Sequence, residues 1–163
     1  MEHEAPAIFV ALEQSAFAAA IRQSPLLYPL ANVGHIVALM IFAGALAVMD
    51  LRLIGAFSAT EPAFVLSRAR RVAVAAFAAL GVSGMMLFVA EASHLAVNAV
   101  FICKQMLVAA GLANVLAFEL IARRTIATLP AGTAMPASGR IAGYLSLAVW
   151  IAVAVCGRSI AYF

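Results

Sequence analysis

Charge is scarce in this chain: 10% of its 163 residues are Asp, Glu, Lys or Arg, and a single lysine is among them. No Ser-His-Asp set, phosphate-binding loop or zinc spacing is present, which removes the usual soluble-enzyme chemistries. The start, MEHEAPAIFVALEQ, is acidic where a cleavable signal needs a positive n-region. No segment reads as a separate soluble domain. The two cysteines, Cys103 and Cys156, both fall in apolar runs. A free cysteine there reads as a small buried hydrophobe and says nothing of redox compartment. The net charge of +3 comes from arginines grouped in two loops, so it reports membrane orientation and gives no nucleic-acid footprint.

What is abundant is apolar surface. Hydrophobic residues make up 66% of the chain and the mean hydropathy is +1.09, far outside the soluble range. An all-α integral membrane protein follows, with room for four transmembrane helices in one bundle. The spans are expected at about 26–49, 71–91, 97–122 and 141–161. Residues 6–23 are less hydrophobic, and Ile8, Phe9, Leu12, Ala16, Ala19 and Ala20 recur at helical spacing. That pattern predicts an interfacial amphipathic helix. Arg52, Arg68, Arg70 and Arg71 share one loop and Arg123, Arg124 and Arg140 another, while the turn at 91–96 has no Lys or Arg. The expected orientation puts both basic loops in the cytoplasm and both termini outside, in the periplasm of a bacterial inner membrane. LPAGTAMPASG, in the second basic loop, reads as an irregular connector.

Small residues at four-residue spacing suggest two close-packing seams, Ala75, Ala79 and Ser83 on the second span and Ala109, Ala113 and Ala117 on the third. A faint repeat accompanies them. His35 precedes Asp50 by the interval at which Lys104 precedes Glu119, as two parallel helical hairpins would produce.

Lys104, the only lysine, lies within VNAVFICKQMLVAAGLANVLAFEL. Ionisable groups at membrane depth cost a few kcal/mol or more and usually face a bundle interior, a cavity or a partner. Rise along the helices places His35, Met86 and Lys104 each about 22 Å from the cytoplasmic ends of their spans, and Arg158 about 26 Å. All four belong to one outer layer. Tyr28, Asn32 and His35 share a helix face; so do Asn98, Phe101 and Gln105, with Lys104 beside them, and Tyr144, Leu147, Ile151 and Arg158 align on the fourth span. His94 sits in the short outer turn just above. Each has a plainer reading: His35 as a packing histidine, Lys104 and Arg158 snorkelling to the surface, Met85 and Met86 filling gaps, His94 as a surface residue.

The elements GHIVALMIFAGALAVMDLRLIG, NAVFICKQMLVAAGLAN and GRSIAYF resemble a family of four-helix bacterial inner-membrane proteins without assigned function. The resemblance covers nearly the whole chain and rests on His35, Asp50 to Arg52, Phe101 to Lys104 and Gly157-Arg158. Ala99 stands where the family pattern has proline, and Glu119 where histidine is common, which puts an inner-side ligand in doubt. A more distant similarity, carried by the His35 and Lys104 arrangement alone, is to HemJ-type protoporphyrinogen oxidases and CopD-type copper-resistance proteins. It implies tetrapyrrole or metal chemistry by analogy.

Three readings compete. One is a single haem b site in a redox or electron-transfer protein. His35 is then an axial ligand, His94 or Met86 the other, and Lys104 and Arg158 partner the propionates, with Tyr28, Asn32, Asn98 and Gln105 lining the site. Three histidines in all leave no second bis-histidine site. Another is copper handling by His35 or His94 with Met40, Met85, Met86 and Met106, since imidazole and thioether suit Cu(I). The third is a noncatalytic subunit or a carrier in which Lys104 and Arg158 hold an anionic small molecule or lipid. The expected partners are the lipid bilayer, a quinone or periplasmic redox or metal partner, and further copies of this chain.

Overall fold

The computed structural model describes residues 5–162 and, among them, contains helices and no strand. Glu2 and Glu4 of the acidic start, and Phe163, lie outside the described residues. Four helices are long and apolar enough to cross a membrane: Leu27–Ile54, Pro62–Ala90, Ala99–Ala127 and Ala137–Ser159. The third is α6 (Ala99–Ala117), a π-helical turn (Phe118–Ala122) and α7 (Arg123–Ala127); the others are α3, α4 and α8 in chain order. Their outward faces carry large apolar side chains such as Val33, Val82 and Leu120, as contact with lipid requires. The chain thus fits a multi-pass membrane protein.

The helices outrun the apolar stretches. Hydropathy ends at the first arginine, but arginine is a good helix former and the backbone ladder continues through it. α4 therefore begins at Pro62, where a missing N–H costs nothing, and Arg68, Arg70 and Arg71 ride on the helix and not in a loop. α3 runs to Ile54 and is ended by Gly55, whose φ of 121° suits glycine. The connector after α7 is irregular as its prolines and glycines suggest, and Gly132 N–H donates to the Ser58 carbonyl at 2.7 Å, tying the two basic loops together.

The single amphipathic helix expected over 6–23 is two short ones, α1 (Ala7–Glu13) and α2 (Ala16–Gln23). Ser15 causes the break: its extended backbone and its hydroxyl, accepting from Ala18 N–H at 3.2 Å, start a new helix. α2 buries Ala18 and Ile21, whereas α1 buries nothing fully. Both sit over the turn between α4 and α5 (Ala92–Val97), so this is called the capped end and the opposite one the basic end.

α3 is the hub, packed on α4 and α8, while α6 packs on α8. At mid-height Phe42, Phe77 and Trp150 from α3, α4 and α8 meet edge-on or tilted, with ring centroids 4.8 to 6.1 Å apart. Lipid provides no hydrophobic drive between helices, so this interlocking of rings with small neighbours is what fixes the bundle. Of the expected seams only Ser83 is buried; the other buried small residues are different ones. Ala75, Ala79, Ala109, Ala113 and Ala117 are exposed; Ala73, Ala76 and Gly111 are buried. The rings decide which small residues matter: a Cβ on Gly111 would stand 2.8 Å from the Trp150 ring. Spacing alone carries no direction.

α4 and α6, neighbours in sequence, are not closely packed. The stacked Phe88–Phe101 pair at 5.5 Å joins them near the capped end, and the Arg70–Glu119 ion pair at 2.5 Å near the basic end. This breaks the repeat inferred from spacing, because a parallel two-fold would turn the α3–α8 seam into an equal α6–α4 seam.

Candidate functional site

His35 lies on the packed face of α3, in line with buried Ala31, Ala38 and Phe42. Its ring meets α4 where Ser83 and Gly84 leave room. A Cβ on Gly84 would come within 3.2 Å of the imidazole Cε1, so glycine there allows the approach. His35 Nδ1 is 2.9 Å from Ser83 Oγ, and the Ser83 hydroxyl donates its one proton to the Ala79 carbonyl at 2.7 Å. With the hydroxyl proton so placed, Ser83 Oγ accepts from Nδ1–H. With the proton on Nδ1, Nε2 carries the lone pair, the form in which an imidazole binds metal or takes a proton.

Lys104 is on the packed face of α6, in line with Leu107, Gly111 and Asn114. Its stem lies against α8 at Gly157, where a Cβ would be 3.9 Å from Cε and 4.0 Å from Nζ. The ammonium is within electrostatic reach of His35 and of Cys156. Among the described residues no carboxylate pairs with it. His35 and Lys104 thus lie within electrostatic reach of each other near the capped end, on two helices that both pack on α8.

The other sequence candidates fall in several places. Met86 is half-buried one turn beyond Ser83 on the same side of α4. Asn98 is buried and caps α6, accepting from Phe101 N–H at 2.9 Å. Tyr28 donates to Glu91 at 2.8 Å. Asn32 and Gln105 are exposed, and Gln105 lines an open apolar groove of about 410 Å³ with Phe9, Phe88, Phe101, Ile102 and Met106. Arg158 is exposed, lies over the Tyr162 ring at 4.7 Å and donates to its hydroxyl at 2.5 Å. His94 is exposed on α5 and near Glu13 of α1. Met40, Met85 and Met106 face outward.

Glu13 belongs to the cap itself. Its carboxylate accepts from both the N–H, at 2.7 Å, and the hydroxyl of Ser93. Those two bonds hold its pKa below the ordinary 4.5. Arg22 on α2 donates to the last carbonyl of α4, Ala90, at 2.9 Å.

At the basic end, sequence reasoning read Asp50 and Arg52 as the polar exit of a span, yet both are buried. Arg52 reaches the Thr60 carbonyl at 2.8 Å and so pins the α3–α4 loop. Asp50 is beside Ser146, which hydrogen-bonds to it, and Gly143, where a Cβ would be 3.0 Å from the Asp50 carbonyl oxygen. Asp50 Oδ2, Arg52 Nε and Trp150 Nε1 find no partner among the described residues. Glu119, in the π turn, accepts from Arg70 and, at 2.9 Å, from Arg123.

One family profile, described as a family of unknown function (DUF6644), matches residues 23–163. No curated protein matches. No solved structure matches either.

Proposed function

The chain belongs to the DUF6644 family, and from that premise we propose that it is a membrane redox or electron-transfer protein holding one haem b at His35 and Lys104. The observation that carries the reading is the pairing of His35 with Ser83: with Ser83 Oγ accepting from Nδ1–H, Nε2 is the nitrogen that bears the lone pair. Haem iron accepts such a nitrogen, and an ammonium without a carboxylate suits a propionate. The residues fit the group to that extent. Of the two further candidates, half-buried Met86 would hold the iron rather than His94, which is exposed beside α1. Bound haem supplies one-electron transfer. Ser83 fixes the imidazole, Lys104 neutralises an acid group, and the aromatic layer of Phe42, Phe77 and Trp150 below keeps water from the bundle centre.

Copper is less well supported. Three of the four methionines face outward, and among the described residues no group of three or more His, Cys, Asp or Glu is placed to hold a metal. A carrier or subunit that binds an anionic small molecule or lipid is favoured by the same Lys104 and needs no iron. We place the protein in a bacterial inner membrane with the arginine-bearing ends in the cytoplasm, on the positive-inside rule. Fusions at Ala59 or Ala134 should then report cytoplasm, and one after Phe163 the periplasm.

Titration of the purified protein with haem tests the site. Wild type should bind stoichiometrically, and His35→Ala should lose binding while keeping its helix content, because a cavity of that size costs a few kcal/mol at most in a span that still inserts. Equal affinity in both would remove His35 from the site. Binding of an anionic ligand that depends on Lys104 but not on His35 would favour the carrier.

A further inference from the structure

Cys103 and Cys156 meet in the folded chain. Cys103 is on α6 and Cys156 on α8, helices that run antiparallel and pack together. Gly111 against Trp150 and Lys104 against Gly157 fix their register, and the two cysteines flank the second of these contacts. Cys103 adjoins Lys104 and Cys156 adjoins Gly157 at that contact, and the Lys104 ammonium is close to Cys156. Neither is in a disulfide, Cys103 is exposed and Cys156 half-buried. A free cysteine that serves as a small core hydrophobe is buried, and Cys103 is not.

We propose that Cys103 and Cys156 are a redox-active dithiol that a lipid-soluble quinone oxidises to an interhelical disulfide. Two S–H bonds break and one S–S bond forms; the two electrons and two protons pass to the quinone carbonyl oxygens, giving the quinol. The setting supports a quinone as the oxidant. Cys103 opens on the lipid face of α6, where a membrane-dissolved molecule arrives. Ile102 and Met106, on the adjoining face, line the groove of about 410 Å³ together with the Phe88 and Phe101 rings, and Gln105 is the polar side chain in that lining. A flat ring with carbonyl acceptors matches an apolar slot that has one amide donor. Reversal needs only a thiol of lower potential.

The site does not depend on haem, so the test separates the two. The full-length protein in detergent, reduced and freed of reductant, is mixed with a short-chain ubiquinone analogue. Wild type should yield stoichiometric quinol, and both cysteines should become resistant to maleimide until a thiol reductant is added. Cys103→Ser and Cys156→Ser should each abolish quinol formation and retain helix content. Glu119→Gln, at the basic end, should react like wild type, and so should protein purified without haem. Gln105→Ala should require several-fold more quinone. Thiols that remain open to maleimide after quinone treatment, or a disulfide that joins two chains, would overturn the proposal.

Discussion

α3 and α6 each carry a basic residue fifteen positions before an acid, yet the two ends of the bundle treat their charges differently. At the basic end, Glu119 is held by Arg70 and Arg123. Near the capped end, Lys104 lies against Gly157 with no carboxylate among the described residues, and His35 uses one ring nitrogen on Ser83. A charge that is already compensated explains itself structurally. One that is placed among apolar helices without compensation points to a ligand. The comparison therefore predicts that substitutions at His35 and Lys104 change binding and that substitution of the compensated Glu119 changes stability.

The largest effect is expected at Lys104. Lys104→Met keeps an apolar side chain of similar length, so helix content and melting should stay near wild type. Affinity for an acidic ligand should fall about 10- to 100-fold, the loss of a charge-assisted hydrogen bond of roughly 1.5–3 kcal/mol. Isothermal titration measures it, and unchanged affinity would mean that Lys104 only snorkels. Next comes packing. Gly111→Val should destabilise the α6–α8 seam by about 1–3 kcal/mol, because the side chain meets the Trp150 ring. A thermal scan in detergent should show it without any change in ligand affinity once folded.

Glu119→Gln should cost less, about 0–1 kcal/mol, since Arg70 and Arg123 are largely solvent-accessible. A stability loss as large as that of Gly111→Val would show that the basic end is more than compensated charge. The smallest effect is local and acid-dependent. Glu13 has a folded pKa below its unfolded value, so its contribution to docking α1 is complete above about pH 4.5 and is lost as pH falls through the lower folded value. Amide exchange over Ala7–Glu13 should accelerate in that acid window, and Glu13→Gln should remove the pH dependence.

Much of this was legible in the sequence because composition and hydropathy act over whole helices. The four helices follow from the length of the apolar runs. Direction around each helix was harder to read. Small residues at Ala109, Ala113 and Ala117 look like a seam, but Trp150 selects Gly111 as the one that must be small. Ser15 splitting the N-terminal helix is a one-residue effect that an amphipathic pattern averages away. Asp50 and Arg52 looked like a polar exit because a charge marks where hydropathy ends. Arg52 is instead buried on the Thr60 carbonyl. The nearness of Cys103 to Cys156 depends on the register of two helices and has no signal in either segment alone.

The central claim is that His35 and Lys104 hold haem b, and the optical spectrum of protein purified after haem supplementation tests it most directly. The account predicts a Soret band that shifts on reduction in wild type and is missing from His35→Ala. No Soret band in wild type, or an identical band in His35→Ala, would contradict it.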